Sequence, residues 1–159
     1  MSELQSSLDT LKGQGFYDAS GRVRPELFDQ VARTLGRSFA QGDKRVRVSS
    51  SQLRGFYGDL KALEEKLREM SRDSPESERN EGGITEAVYH KNEYLVRMVV
   101  PKVAYIQGKR TGGNVSQEFR DFIEKAIEQV HSATDFTVFM RLFESVVGFF
   151  YGYNGGRNQ

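Results

Sequence analysis

SSSQLRGFYGDLKALEEKLREM, residues 49–70, is the stretch that decides the fold. Ser49 and Gln52 stand in S-x-x-Q spacing, in which the serine hydroxyl accepts from the backbone N–H of Gln52 while the glutamine amide turns back towards the cap. A helix is therefore expected to begin at Ser50. From there Leu53, Phe56, Leu60, Leu63, Leu67 and Met70 recur at steps of three and four, an apolar seam along a helix of about 20 residues and about 30 Å. At about three heptads the seam is short for a coiled coil, so it reads as a packing surface inside one bundle.

The same helical period runs outward in both directions. Leu4, Leu8 and Leu11 outline a short opening helix before a turn region between Gly13 and Gly21. Pro25 suits a first helical position, and Leu27, Phe28, Val31, Leu35 and Phe39 extend a helix from about residue 25 to 41, closed by Gly42. Residues 71–83, with Pro75, two glycines and many charges, have the composition of a flexible acidic connector. Ile84, Val88, Leu95, Met98, Val99, Val103 and Ile106 mark a long helix that Pro101 kinks or breaks; the Val99-Val100 pair leaves a strand open there. Phe119, Phe122, Ile123, Ala126, Ile127 and Val130 outline a helix from about Ser116. Asp135 is placed to cap the last one, whose Phe136, Phe139, Met140, Phe143, Val146, Val147 and Phe150 cover so much of the circumference that it belongs at the centre of the core. The fold class is all-α, a compact bundle of about five to six helices in one domain, with a flexible tail at 152–159.

At 159 residues the chain is long enough to bury about 70% of its unfolded surface without staples. It has no cysteine, which excludes disulfides and thiolate zinc sites and fits a reducing compartment. With no apolar run of membrane length and no signal-like start, it reads as soluble and cytoplasmic.

A net charge of +1 conceals a polar distribution. Between Gln30 and Lys61 stand Arg33, Arg37, Lys44, Arg45, Arg47, Arg54 and Lys61 against only Asp43 and Asp59. Arg97, Lys102, Lys109 and Arg110 form a second segment without acid. Acid gathers between Glu64 and Glu81. Such asymmetry is an argument about partners. The positive end of the helix beginning at Ser50, preceded by Arg45 and Arg47 and followed by Arg54, suits phosphate.

Catalytic constellations are weak. Glu86, His90 and Glu93 share a helix face, but the spacing is Glu-x-x-x-His and occurs once, whereas a ferritin-like site needs Glu-x-x-His on two helices. His131 near a helix end answers the helix dipole. Gly108-Lys109-Arg110-Thr111 lacks the first glycine of a phosphate loop, the position being Val103. No metal, cofactor or active site is expected.

Three blocks carry a resemblance: Val48-Ser49-Ser50-Ser51-Gln52-Leu53-Arg54 with Phe56-Tyr57; Pro101-Lys102-Val103-Ala104-Tyr105 with Gly108-Lys109-Arg110; and Phe139 to Phe150, with Phe143-Glu144-Ser145-Val146-Val147. In this order they resemble the small helical subunit of the type III-A CRISPR interference complex, the Csm complex. The resemblance implies a helical bundle without its own active site, stacked in several copies inside an antiviral ribonucleoprotein. There it would contact target RNA, guide RNA, neighbouring copies and other subunits of the complex. Arg54, Lys102 and Arg110 within the blocks, with Arg45, Arg47 and Lys109 beside them, are the expected RNA-binding residues. The rival reading is a helical adaptor whose 53-to-70 seam docks a partner and whose arginines only solubilise; a helical ribonuclease using His90 or His131 is a more distant third.

Overall fold

The computed structural model describes residues 2–108 and 115–154. Among them the regular structure is helical: α1 (Glu3–Gln14), α2 (Gln30–Gln41), α3 (Ser50–Met70), α4 (Glu86–Lys91), α5 (Glu93–Arg97), α6 (Val99–Gly108), α7 (Gln117–Ile127) and α8 (Ala133–Asn154), with single 3-10 turns at Pro25–Leu27 and Glu76–Glu78. The all-α class holds. The helices outnumber the expected five to six because residues 86–108 form three short pieces rather than one long helix kinked or broken at Pro101.

The breaks have local causes. Asn92 turns its side-chain amide onto the Val88 carbonyl at 2.9 Å, and its backbone leaves helical geometry at φ −116°, ψ 15°. Pro101, which can donate no backbone hydrogen bond, falls in the first turn of α6, where its missing N–H costs least. The Val99-Val100 pair is therefore helical. Pro25 likewise opens only a 3-10 turn; α2 begins after Asp29, whose carboxylate accepts from the Gln30 N–H.

α3 has the expected bounds. Ser49 Oγ accepts from the Gln52 N–H at 3.2 Å, and Leu53, Phe56, Leu60 and Leu67 are buried, with Glu64 on the same side. The Glu64 carboxylate is paired there with Lys61 at 2.9 Å and Arg68 at 3.6 Å. The seam turns inward up to Leu67, the Phe56 ring lying 5.6 Å from Phe119 of α7 and 5.8 Å from Phe143 of α8, while Met70 at its end is exposed.

α8 is the centre of the core. Phe136, Phe139, Phe143 and Phe150 are fully buried, and α8 crosses α2 so closely that a β-carbon on Gly36 would stand 2.7 Å from the Val146 carbonyl oxygen and 2.8 Å from the Phe150 nitrogen. Its N-terminus is capped by Ser132, which accepts from the Asp135 N–H at 3.0 Å. The expected cap, Asp135, instead reaches back to the His131 N–H at 2.9 Å. Its other oxygen accepts from the Tyr17 hydroxyl at 2.6 Å.

Residues 71–83 are tied at both ends. Ser71 Oγ donates to the Leu67 carbonyl and accepts from the Thr85 N–H; Asn80 accepts from the N–H groups of Gly82 and Ile84 and donates to Thr137 of α8. Between these ties residues 75–78 are exposed. Residues 152–154 form the last turn of α8, with Tyr153 packed on Phe149 and its carbonyl accepting from Gln41; residues 155–159 lie outside the described residues.

Two tyrosines make stability sensitive to alkali. Burial pushes the Tyr89 phenol up to about 12, and burial with the Asp135 hydrogen bond raises Tyr17 as well. Below about pH 10 both phenols are protonated whether folded or unfolded, and the shift has no effect. Above it the unfolded phenols ionise first, so stability falls as pH rises towards the folded values. For Tyr89 alone the loss is about 2 kcal/mol by about pH 11.5. Urea midpoints across this range should fall more steeply for the native chain than for Tyr89→Phe.

Candidate nucleic-acid interface

The basic stretch between residues 30 and 61 divides into engaged and unengaged cations. Arg37 pairs with Glu3 at 2.6 Å. Arg33 lies 4.9 Å over the Phe149 ring, and Lys61 is held by Glu64, whose hydrogen bond raises its pKa. Lys44, Arg45, Arg47 and Arg54 are exposed, and their side chains make no ion pair or hydrogen bond among the described residues. The turn that carries the first three is fixed by Asp43, which accepts from the Arg45 N–H at 2.9 Å through its carboxylate and from Val46 and Arg47 through its carbonyl. Val48 then buries and returns its N–H to the Phe39 carbonyl. The turn therefore delivers Arg45 and Arg47 to the start of α3, and Arg54 follows one turn into the helix.

The second segment is divided in the same way. Arg97 donates to the Ile127 carbonyl at 2.8 Å and the Val130 carbonyl at 2.6 Å, with Glu93 alongside at 3.1 Å. It is the cation that closes the C-terminal end of α7, the part that sequence reasoning gave to His131. His131 instead turns Nδ1 towards the same guanidinium at 3.3 Å. Lys102 remains exposed, on the wall of a groove of about 120 Å³ with Phe56, Asp59, Leu60 and Leu63 of α3 and Leu95, Met98 and Val99. Lys109 and Arg110 lie outside the described residues.

Arg54 and Lys102 do not share a face. At 100° per residue, Arg54 projects about 170° around α3 from the side that lines the groove. The described cations thus form a cluster of Lys44, Arg45, Arg47 and Arg54 at the start of α3 and a separate bank at Lys102. Beyond the other end of α3, Asp73, Glu76 and Glu78 are exposed and have no ion pair among the described residues.

A cleft of about 540 Å³ between α1 and α2 gathers Arg24, Arg33 and Arg37. Its charges are largely spent internally, Arg24 on Glu26 at 2.9 Å and on the Gly15 carbonyl, and Arg37 on Glu3.

The groups considered for catalysis have structural partners. Glu86 accepts from the Ala133 N–H at 2.9 Å, and Glu93 holds Arg97. His90 lies 3.7 Å from Glu86 and 3.9 Å from Glu93 on the exposed side of α4. Among the described residues no group of three metal-ligating side chains is assembled, and no helix is long and apolar enough to cross a membrane.

Residues 22–156 match the family model described as Csm2 Type III-A. The chain belongs to the Csm2 type III-A family. The match includes all three blocks of the resemblance, the basic turn, α3 and the aromatic α8. No curated protein and no solved structure matches the chain. As a Csm2 protein it is the small subunit of the type III-A CRISPR effector, the Csm complex, and works with the other subunits of that assembly.

Proposed function

We propose that this Csm2 subunit has no active site of its own and serves, in several stacked copies in the cytoplasm, as a sequence-blind contact to the backbone of target RNA and guide duplex in antiviral defence. The observation that supports this most directly is the set of four unengaged cations, Lys44, Arg45, Arg47 and Arg54, around the capped start of α3, while Arg33, Arg37 and Lys61 on either side are engaged. Arginines without partners among the described residues, at the positive end of a helix, suit phosphate oxygens. Such contacts carry affinity and no sequence information, which fits a subunit of an effector whose sequence is read by base pairing. Lys102, Lys109 and Arg110 belong to the proposal as a second bank. The adaptor reading loses part of its support, because Leu53, Phe56, Leu60 and Leu67 of the 53-to-70 seam are buried in the chain's own bundle, Phe56 against rings of α7 and α8.

Fluorescence anisotropy with unrelated single-stranded RNAs tests the reading. With about four phosphates engaged, affinity should drop about 50-fold from about 50 to 200 mM salt. The variant Arg45→Glu/Arg47→Glu/Arg54→Glu should lose most binding and flatten that salt slope, while Lys102→Glu should lose less. Equal binding by the triple variant would remove the α3 cluster from the RNA contact. RNA capture by the assembled complex that is indifferent to every one of these changes would restore the adaptor reading.

A further inference from the structure

α5 and α6 act as one continuous path despite the break between them. The Met98 N–H reaches the Tyr94 carbonyl at 3.0 Å, and the Lys102 N–H reaches the Met98 carbonyl at 3.3 Å, so the helical spacing continues across the junction. Met98 itself keeps helical angles, φ −66° and ψ −14°. Tyr94, Met98, Lys102 and Tyr105 consequently fall within about 80° of arc and form a stripe about 16 Å long. The opposite side of the path, Val96, Val99 and Val103, is buried. The stripe itself is open: Tyr94 is 61% exposed, Met98 54% and Tyr105 71%.

Exposed rings of this size need a reason, since each presents a large apolar face to water. Their electrostatic setting favours an anion. No acid occurs from Tyr94 to Gly108, Glu93 is held by Arg97, and Asp59 faces Met98 and Lys102 across the groove. An ammonium group stands between two separated rings. This is the pattern of single-strand recognition, in which bases stack on aromatic faces and a cation meets the intervening backbone. A continuous apolar patch, as a protein partner would want at the centre of an interface, is interrupted here by Lys102.

We infer that Tyr94, Met98, Lys102 and Tyr105 form a base-stacking ridge for unpaired RNA nucleotides, with Tyr94 and Tyr105 each taking a base and Lys102 a phosphate. This rests on the RNA-contact reading above and adds a second surface, distinct from the cation cluster at the start of α3.

The test uses the assembled complex carrying 5-iodouridine at successive positions of either the guide or the target RNA, irradiated and mapped by mass spectrometry. Adducts are expected on Tyr94 and Tyr105. They should persist in Tyr94→Phe/Tyr105→Phe, which keeps both rings, and vanish in Tyr94→Ala/Tyr105→Ala, whose RNA affinity should fall at least about tenfold. Both pairs are exposed, so unchanged melting curves will separate loss of stacking from loss of fold. Adducts confined to other parts of this subunit would overturn the ridge and leave the RNA-contact reading standing. No adduct anywhere on the subunit would overturn both. Shielding of Met98 from hydroxyl-radical oxidation in the complex, without adducts on either tyrosine, would assign the stripe to a protein neighbour and overturn the ridge.

Discussion

Phe143→Ala should destabilise the chain by about 3–5 kcal/mol, the range for emptying a fully buried aromatic position. The ring is inaccessible to water and stands among Phe56 and Tyr57 of α3 at 5.8 Å each, Phe119 and Phe122 of α7 at 6.2 and 6.1 Å, and Phe139 of its own helix at 6.2 Å. With Phe56 and Phe119 it forms the cluster in which α3, α7 and α8 meet ring to ring. Removing it sacrifices transfer energy and leaves a cavity walled by rigid rings, which relax poorly around a void. Chemical unfolding of Phe143→Ala and the milder Phe143→Leu will check this. A loss under about 1 kcal/mol for alanine would mean that the three helices do not depend on this cluster. Phe143 is thus a core residue, and no base can reach it.

Gly36→Val should cost about 3 kcal/mol by the opposite mechanism, overpacking. The added β-carbon would meet the Val146 carbonyl and the Phe149 β-carbon at 2.7 Å each and the Phe150 nitrogen at 2.8 Å. Two of these three atoms are backbone, so no rotamer change relieves the contact and α8 must move away from α2. Gly58 supplies the control: a β-carbon there meets nothing within 4 Å. Gly58→Ala on the exposed side of α3 should stabilise by about 0.5–1 kcal/mol, the ordinary gain of alanine over glycine inside a helix. If Gly36→Val unfolds at the native urea midpoint, the close crossing of α2 and α8 is not what holds them.

What could be read from the sequence depended on how far apart the deciding residues lie. The bounds of α3 follow from Ser49 and Gln52, three positions apart, and from a seam of adjacent turns, so local chemistry is sufficient. Ser116 and the start of α7 are of the same kind. In the segment from 86 to 108 a break at Pro101 is legible in the sequence, and it falls just before the proline at Met98; apolar spacing does not reveal that Asn92 will spend its amide on Val88 and divide the segment a second time. The division of the basic stretch was out of reach for a different reason. Arg37 meets Glu3, 34 positions away, and Arg97 meets carbonyls 30 and 33 positions on; only the packed bundle decides which cations remain available. The exposed ridge on α5 and α6 required knowing that the helical spacing survives the junction at Met98.

α3 holds its charges like a rod magnetised end to end. Over its 21 residues, about 31 Å, it separates the unengaged cations at its start from Asp73, Glu76 and Glu78 just past its finish, and its own peptide dipoles add in the same sense. A polyanion exerts a torque on such a body before any atom touches, turning the cationic end forward while the molecule is still diffusing. Wrong approaches are thereby rejected in flight. If RNA is the polyanion, as proposed, added salt should slow association much more than it hastens departure.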